Sequence, residues 1–174
     1  MLFFSSLYHL FTTFAAKVQL FLDKISMAGF PNLIFPFPTA KRKIENNTDY
    51  IWDKLRRKYL VLTPEEWVRQ SAIAWLEKSC KVPPLRIMQE YPVSLNYTAQ
   101  RADIVVVDSQ AQPLLLVECK SYDIKIGDNA IAQAVRYNSI IKARYIMLTN
   151  GMQLIFMEQT ESGYRPLTSV PQLW

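Results

Sequence analysis

Beyond residue 60 the spacing of apolar positions changes several times, and each change marks an element. TPEEWVRQ, residues 63–70, opens a helix: Thr63 is a cap, Pro64 suits the first helical position and Glu66 completes a capping box. The helical spacing runs to about Cys80 and turns Trp67, Ala74 and Trp75 or their neighbours inward, until Pro83 and Pro84 stop it. IMQEYPVSLNY, residues 87–97, reads as a strand whose proline bends it and places it at a sheet edge. RADIVVVD (101–108) and LLLVECK (114–120) are two apolar strands around the turn SQAQP. GDNAIAQAVRYNSIIKA (127–143) returns to helical spacing, with Asp128 as its cap and Ala130, Ile131, Ala134, Val135 and Ile141 as apolar contributors. RYIMLTN (144–150) is a short buried strand, and MQLIFME (152–158) is another after a turn at Asn150–Gly151. Helix, three strands, helix, strand, strand is an α/β order.

Upstream the pattern is less regular. Residues 1–24, MLFFSSLYHLFTTFAAKVQLFLDK, are apolar enough to suggest a signal peptide or a membrane anchor. No Lys or Arg precedes the run, and Ser5, Ser6, His9, Thr12, Thr13 and Lys17 dilute it. Lys17 alone costs roughly 2.5–3.5 kcal/mol near a bilayer centre. Two other readings stand beside the anchor: an amphipathic helix with Leu7, Leu10, Phe11 and Phe14 on one side, and a true translation start at Met27. FPNLIFPFPTA (30–40) is a proline-punctuated, extended connector, and residues 41–62 read as short strands or a hairpin with polar breaks around Asn46–Asp49. The expected organisation is an apolar N-terminal segment (1–26), a connector with a basic stretch (27–49), a main domain (50–160) and a C-terminal tail (161–174).

Composition narrows the chemistry. The 174 residues are half hydrophobic, with a net charge of +5. Residues 41–58 hold seven basic side chains (Lys41, Arg42, Lys43, Lys54, Arg56, Arg57, Lys58) against Glu45, Asp49 and Asp53. Such a stretch either tracks phosphates or is a solvated rim. Cys80 and Cys119 are too few for a disulfide framework or a cysteine-based zinc site, and a reducing, cytoplasmic compartment is expected. His9 is the one histidine and lies in the apolar N-terminal segment, so catalysis must rest on carboxylates, lysine or a bound cation. Trp52, Trp67, Trp75 and Tyr145 are read as core rather than as stacking platforms.

One polar cluster stands out from this apolar pattern. Pairing 101–108 with 114–120 around Gln110–Ala111 sets Val107 opposite Leu114 and Asp103 opposite Glu118. Facing residues of an antiparallel pair share a side, with Cβ atoms about 4.5–5.5 Å apart. Alternation brings Lys120 to that side as well. Two opposed carboxylates repel, and a divalent cation with oxygen ligands relieves the repulsion; Mg²⁺ needs only one or two carboxylates plus substrate phosphates. The alternative is that Lys120 simply neutralises two rim carboxylates. A one-residue slip of register would send Asp103 to the opposite face.

ADIVVVD…LLLVECK resembles the PD-(D/E)XK nuclease signature, and TPEEWVRQ with QAVRYN resembles the branch related to the N-terminal domain of type I restriction enzyme R proteins. The resemblance spans roughly residues 50–158. It implies a restriction-endonuclease-like αβββαβ core with a central mixed sheet flanked by helices, and metal-dependent phosphodiester cleavage. Asp103 and Glu118 then hold Mg²⁺ (Mn²⁺ able to replace it), the backbone carbonyl of Cys119 adds a ligand, and Lys120 assists the attacking water. Glu66 matches the first-helix acid, with Glu65 adjacent as the alternative. Gln133 and Tyr137 resemble the Q-x-x-x-Y motif of RecB-type nucleases, and Arg136 lies three from Gln133. Ala102 stands where the signature names proline.

The expected partner is DNA, met by Lys41, Arg42, Lys43, Arg56, Arg57, Lys58, Arg69, Arg136 and Tyr137, with no small-molecule cofactor and no membrane. Each carried residue has a plain counterpart: Glu66 as a cap alone, Gln133 and Tyr137 as surface polar groups, Arg69 and Gln70 as solvated helix residues. No G-x-x-x-x-G-K-[ST] occurs, so these residues carry no ATP-driven motor. Three readings follow: a Mg²⁺-dependent DNA endonuclease of a defence or repair system, a catalytically silent nucleic-acid-binding module, and a homodimer or subunit that needs a separate motor or specificity protein.

Overall fold

The computed structural model describes residues 29–35, 40–95 and 98–174. The chain divides into two compact units, Met1–Pro31 and Asn32–Trp174, and the second holds every element named below. The readings of residues 1–24 and of Met27 lie outside the described residues.

The basic stretch folds as a three-stranded antiparallel sheet, β1 (Arg42–Glu45), β2 (Thr48–Asp53) and β3 (Lys58–Val61). Its first turn is Asn46–Asn47, both with positive φ (49° and 60°), as a two-residue hairpin of this hand requires. Helix α1 (Pro64–Lys78) starts where its sequence signals put it, with the Thr63 side chain accepting from the Glu66 N–H at 3.1 Å. The capping box is only half formed. The Thr63 N–H donates to Val61 O, and the Glu66 carboxylate turns to Arg56, Arg69 and Gln70 instead.

A six-stranded sheet follows in the order β4 (Ile87–Leu95), β5 (Thr98–Val107), β6 (Pro113–Cys119), β7 (Tyr145–Thr149), β8 (Leu154–Thr160) and β9 (Gly163–Leu167). Only β6 and β7 run parallel, joined by helix α2 (Asp128–Ile141). The protein is therefore mixed α/β, with the chain order α1–β4–β5–β6–α2–β7. The helix α2 begins one residue earlier than its sequence suggested: Gly127 is the cap, and Asp128 lies in the first turn. The stretch after residue 160, read as a tail, supplies strand β9 and the buried Leu173. Both edge strands of this sheet carry a proline, Pro92 and Pro166, which cannot donate to a further strand.

The two helices cover opposite faces. Val68, Ala72, Ile73 and Leu76 of α1 pack with Ile104, Val106, Leu115, Val117 and Met147. Ala134, Tyr137 and Ile141 of α2 pack with Val105, Val107, Leu116, Ile146 and Leu148. Strand β6 is thus buried on both sides, which is why it reads as an unbroken apolar run. Trp67 is fully buried, as expected of core, and Trp75 sits between Phe35 and Phe156. At the β7–β8 turn Gly151 has φ +79°, and a Cβ there would come within 2.7 Å of Leu33. Among the described residues no helix is long and apolar enough to cross a membrane.

A buried polar hub ties the small sheet to α1 and β4. Asp53, fully buried at the end of β2, accepts from the backbone N–H groups of Leu55 and Arg56, from Arg56 Nε at 2.6 Å, and from the amides of Gln70 and Gln89. Burial works against its ionisation, but the Arg56 backbone and guanidinium and the Gln89 amide outweigh it and hold the carboxyl below its ordinary range. Arg56 goes on to Glu66 and Glu90. Removing one member of such a pair leaves the other buried and unpaired, at a cost of about 3–5 kcal/mol. Asp53→Ala is expected to lose stability on that scale in urea denaturation, whereas Lys58→Ala, on the exposed β3, is expected to change it by less than about 0.5 kcal/mol.

Candidate active site

The β5–β6 ladder runs Val106↔Leu115, Val105↔Leu116 and Ile104↔Val117, and the same register, extended one step past the last paired residues, sets Asp103 opposite Glu118. A bulge between Val106 and Val107 pairs Val107 with Pro113, not with Leu114 as expected. It lies on the turn side of these pairs, so it leaves the register toward Asp103 unchanged. On the other flank, Gln89↔Ile104 and Tyr91↔Ala102 pair around Glu90, whose φ is +49°. Asp103 therefore sits at an interruption of backbone pairing on both sides.

Side chains close the interruption. Asp103 Oδ2 accepts the Cys119 N–H at 2.7 Å, and the Asp103 backbone N–H draws the pKa of Glu118 down. The Asp103 carboxylate thus takes the place of a strand carbonyl and ties itself to the residue after Glu118 at the end of the ladder. The partners of Asp103 are completed by Arg69, whose Nη2 lies 2.7 Å from Oδ1. Glu118 is less well satisfied. It is 2 % exposed, and its Oε1 is buried with no hydrogen-bond partner. Burial first, then the Asp103 charge, pushes its pKa up to about 8, against the pull of Lys120 and Arg69. Cys119 is fully buried, and its thiol is pushed well above its ordinary range by burial and by Asp103, so it is not a nucleophile. Its backbone is better placed: the Lys120 N–H donates to Thr149 O on β7, so the Cys119 carbonyl of that planar peptide points the other way, toward β5.

Lys120 follows directly on β6. Its Nζ donates to Gln133 Oε1 at 3.2 Å, and Gln133 Nε2 donates to the Tyr137 hydroxyl at 3.2 Å. Gln133 and Tyr137 are one turn apart on α2, and Tyr137 is buried, so the chain of bonds anchors the lysine to the core. A cavity of about 550 Å³ opens beside them, lined by Lys120 and Gln133 together with Lys125, Asp128 and Asn129.

Of the two first-helix acids, Glu66 is drawn away into the hub and bonds Arg56, Arg69 and Gln70. Glu65 is the one beside the site: burial and Asp103 raise its pKa, and Arg69 and Lys120 lower it. Four residues proposed to meet DNA are committed elsewhere. Arg42 pairs with Asp49, Arg56 with Asp53, Glu66 and Glu90, and Arg69 with Glu65, Glu66 and Asp103, while Tyr137 is buried. Lys41, Lys43, Arg57, Lys58 and Arg136 are exposed. The signal for the ion pairs of Arg69 was present in the helix spacing, since Glu65 and Glu66 precede it by four and three positions.

The family model of the type I restriction enzyme R protein N terminus matches residues 64–171. The chain belongs to this family. The match begins at the first residue of α1 and covers both helices and the whole six-stranded sheet, so every residue of the site lies within it. No curated protein matches the chain. Membership relates the protein to restriction systems.

The raised pKa of Glu118 fixes the direction of a pH effect. A carboxyl whose pKa rises from 4.5 to about 8 on folding favours the folded state fully below its unfolded value, and that contribution is lost as pH climbs through about 8. In denaturant titrations without divalent ions, stability is expected to fall between about pH 5 and pH 8, by an amount on the order of a few kcal/mol. Glu118→Gln, which cannot ionise, is expected to flatten that slope.

Proposed function

We propose that this domain is a Mg²⁺-dependent nuclease of the PD-(D/E)XK kind acting on DNA. The observation that carries the reading is Asp103 opposite Glu118, with a buried Glu118 oxygen that lacks a partner and a lysine two residues on. The chain order α1–β4–β5–β6–α2–β7 supports it, since it is the αβββαβ order of that superfamily.

The donor set suits a hard divalent cation. Among the described residues no cluster of three or more His, Cys, Asp and Glu is arranged to hold a metal. Mg²⁺ usually asks for less, one or two carboxylates plus substrate phosphates. Asp103, Glu118 and the Cys119 carbonyl would hold it; carboxylate oxygens each have two lone pairs, so the bonds from Arg69 and the Cys119 N–H leave acceptor capacity. The cation when bound supplies Lewis-acid polarisation of the phosphate and a more acidic water. The chain's own residues do the rest. Lys120, oriented by Gln133, places a positive charge where negative charge develops on the phosphate or on the attacking water. Tyr137 fixes which way the Gln133 amide faces. The cleft beside Lys120 gives the substrate a route to these groups, and Lys125 on its wall suits a polyanion.

The test pairs binding with cleavage. Mn²⁺ titration by calorimetry is expected to show binding for the natural chain and none for Asp103→Asn/Glu118→Gln. Plasmid nicking with Mg²⁺ is expected to fall by at least about 100-fold in Lys120→Ala, with Mn²⁺ binding retained. Nicking that survives both Asp103→Asn and Lys120→Ala would rule the site out. Tyr137→Phe keeps the ring and removes the anchor of Gln133, so a loss of roughly ten-fold or less is expected in the same nicking assay.

A second reading rests on the family, which is the N terminus of a restriction enzyme R protein: the domain works only together with a motor or specificity protein. Under that reading Mn²⁺ still binds at Asp103 and Glu118, but the isolated chain does not nick.

A further inference from the structure

The three-stranded sheet β1–β3 lies ahead of the family match and takes no part in the site above. Its two faces differ. One carries Ile51 and Asp53, both buried. The register puts Lys43, Tyr50 and Val61 in one row of the other face and Trp52 and Tyr59 in the next. Lys41 continues that second row, its carbonyl accepting the Trp52 N–H. Tyr59 is 36 % exposed and Val61 49 %, in a position where a folded domain rarely leaves large apolar groups together.

The rings are arranged with a cation among them. Trp52 and Tyr59 meet edge-on with centroids 5.1 Å apart, and Lys43 Nζ lies 4.9 Å from the Tyr59 ring and 5.2 Å from that of Tyr50. The single acid on this face, Glu45, is already paired with Lys43. Trp52 also walls a cavity of about 230 Å³ whose rim carries Lys41, Lys54 and Lys78. Lys54 is held by Glu77, while Lys41 stands exposed.

We infer that this face binds single-stranded nucleic acid, with bases stacked on Tyr59 and Trp52 and the phosphates met by Lys41 and Lys78. Charge complementarity selects a polyanion, and the exposed rings select one with unstacked π-faces. A sheet presenting aromatic side chains between basic ones is how single strands are held without sequence preference. A duplex, whose bases are stacked inside, offers these rings nothing. The inference is independent of the chemistry proposed at Asp103 and Glu118, and it extends the phosphate tracking expected of the basic stretch to contact with the bases.

The experiment measures fluorescence anisotropy of the full chain in EDTA, so that no cleavage intervenes. The probes are a short labelled oligothymidylate, an abasic deoxyribose-phosphate chain of the same length, and a duplex of that length. Oligothymidylate is expected to bind at least about ten-fold more tightly than either other probe. Tyr59→Ala is expected to weaken that binding roughly ten-fold, and Tyr59→Phe, which keeps the ring, to restore it. Because Tyr59 is exposed, thermal unfolding of both variants reports whether the fold is intact. Equal binding of the abasic chain, preference for the duplex, an unchanged affinity in Tyr59→Ala, or no binding at all would each overturn the inference, and none of these outcomes bears on Mn²⁺ binding at the other site.

Discussion

The hydrogen bond from the Cys119 N–H to Asp103 is the constraint on which the candidate site depends. The strands stop pairing through their backbones, and the Asp103 carboxylate takes over as acceptor for the N–H of the residue next to Glu118. Buried N–H groups must find a partner, so Asp103 is held near Glu118 where charge repulsion alone would part them. The arrangement leaves electrostatic tension, visible in Glu118: it is buried in a central strand of the sheet with one oxygen unpaired. A proton satisfies a group in that state, and under the proposed function a cation would do the same, which would tie the stability of the domain to its chemistry.

Around that pair the rest of the fold supplies rigidity. Arg69 reaches from α1 to Asp103 and also holds both acids of its own first turn, so the helix is pinned at the level of the site. Glu66 and Arg56 extend the same network to Asp53 and so to the small sheet. A continuous set of ion pairs and amide bonds thus connects β2, α1 and β5. On the opposite face, Tyr137 and Gln133 do the corresponding work for Lys120. The cationic and anionic groups of the site are positioned from different helices, on opposite sides of one sheet. Their relative placement therefore depends on the apolar packing of both faces, not on local geometry alone.

The small sheet adds a second polar theme. Its buried face ends in the Asp53 hub, and its other face keeps aromatic and basic side chains in adjacent rows. A positive stretch that looks uniform along the chain is divided by this folding. Arg42 and Arg56 become structural, while Lys41, Lys43, Arg57 and Lys58 remain at the surface.

The sequence by itself determined the order of elements and the register that sets Asp103 against Glu118. Both follow from local rules: alternation and helical spacing mark the elements, and a short turn leaves the β5–β6 hairpin little choice of pairing. Even the bulge at Val107 did not disturb the pairs toward Asp103. Strand β9 was missed because GYRPL has only two apolar side chains with no alternation to mark them beyond doubt, and its proline and exposed edge weaken the pattern further. What only the tertiary structure decided is the fate of each charge on α1 and in the basic stretch. Glu66 satisfied every rule of a capping box and still turned to Arg56, Arg69 and Gln70, because a desolvated guanidinium needs a carboxylate more than a helix N–H does. Which charges lie within reach of one another is set by the packing of elements far apart along the chain, and no local spacing carries that distance.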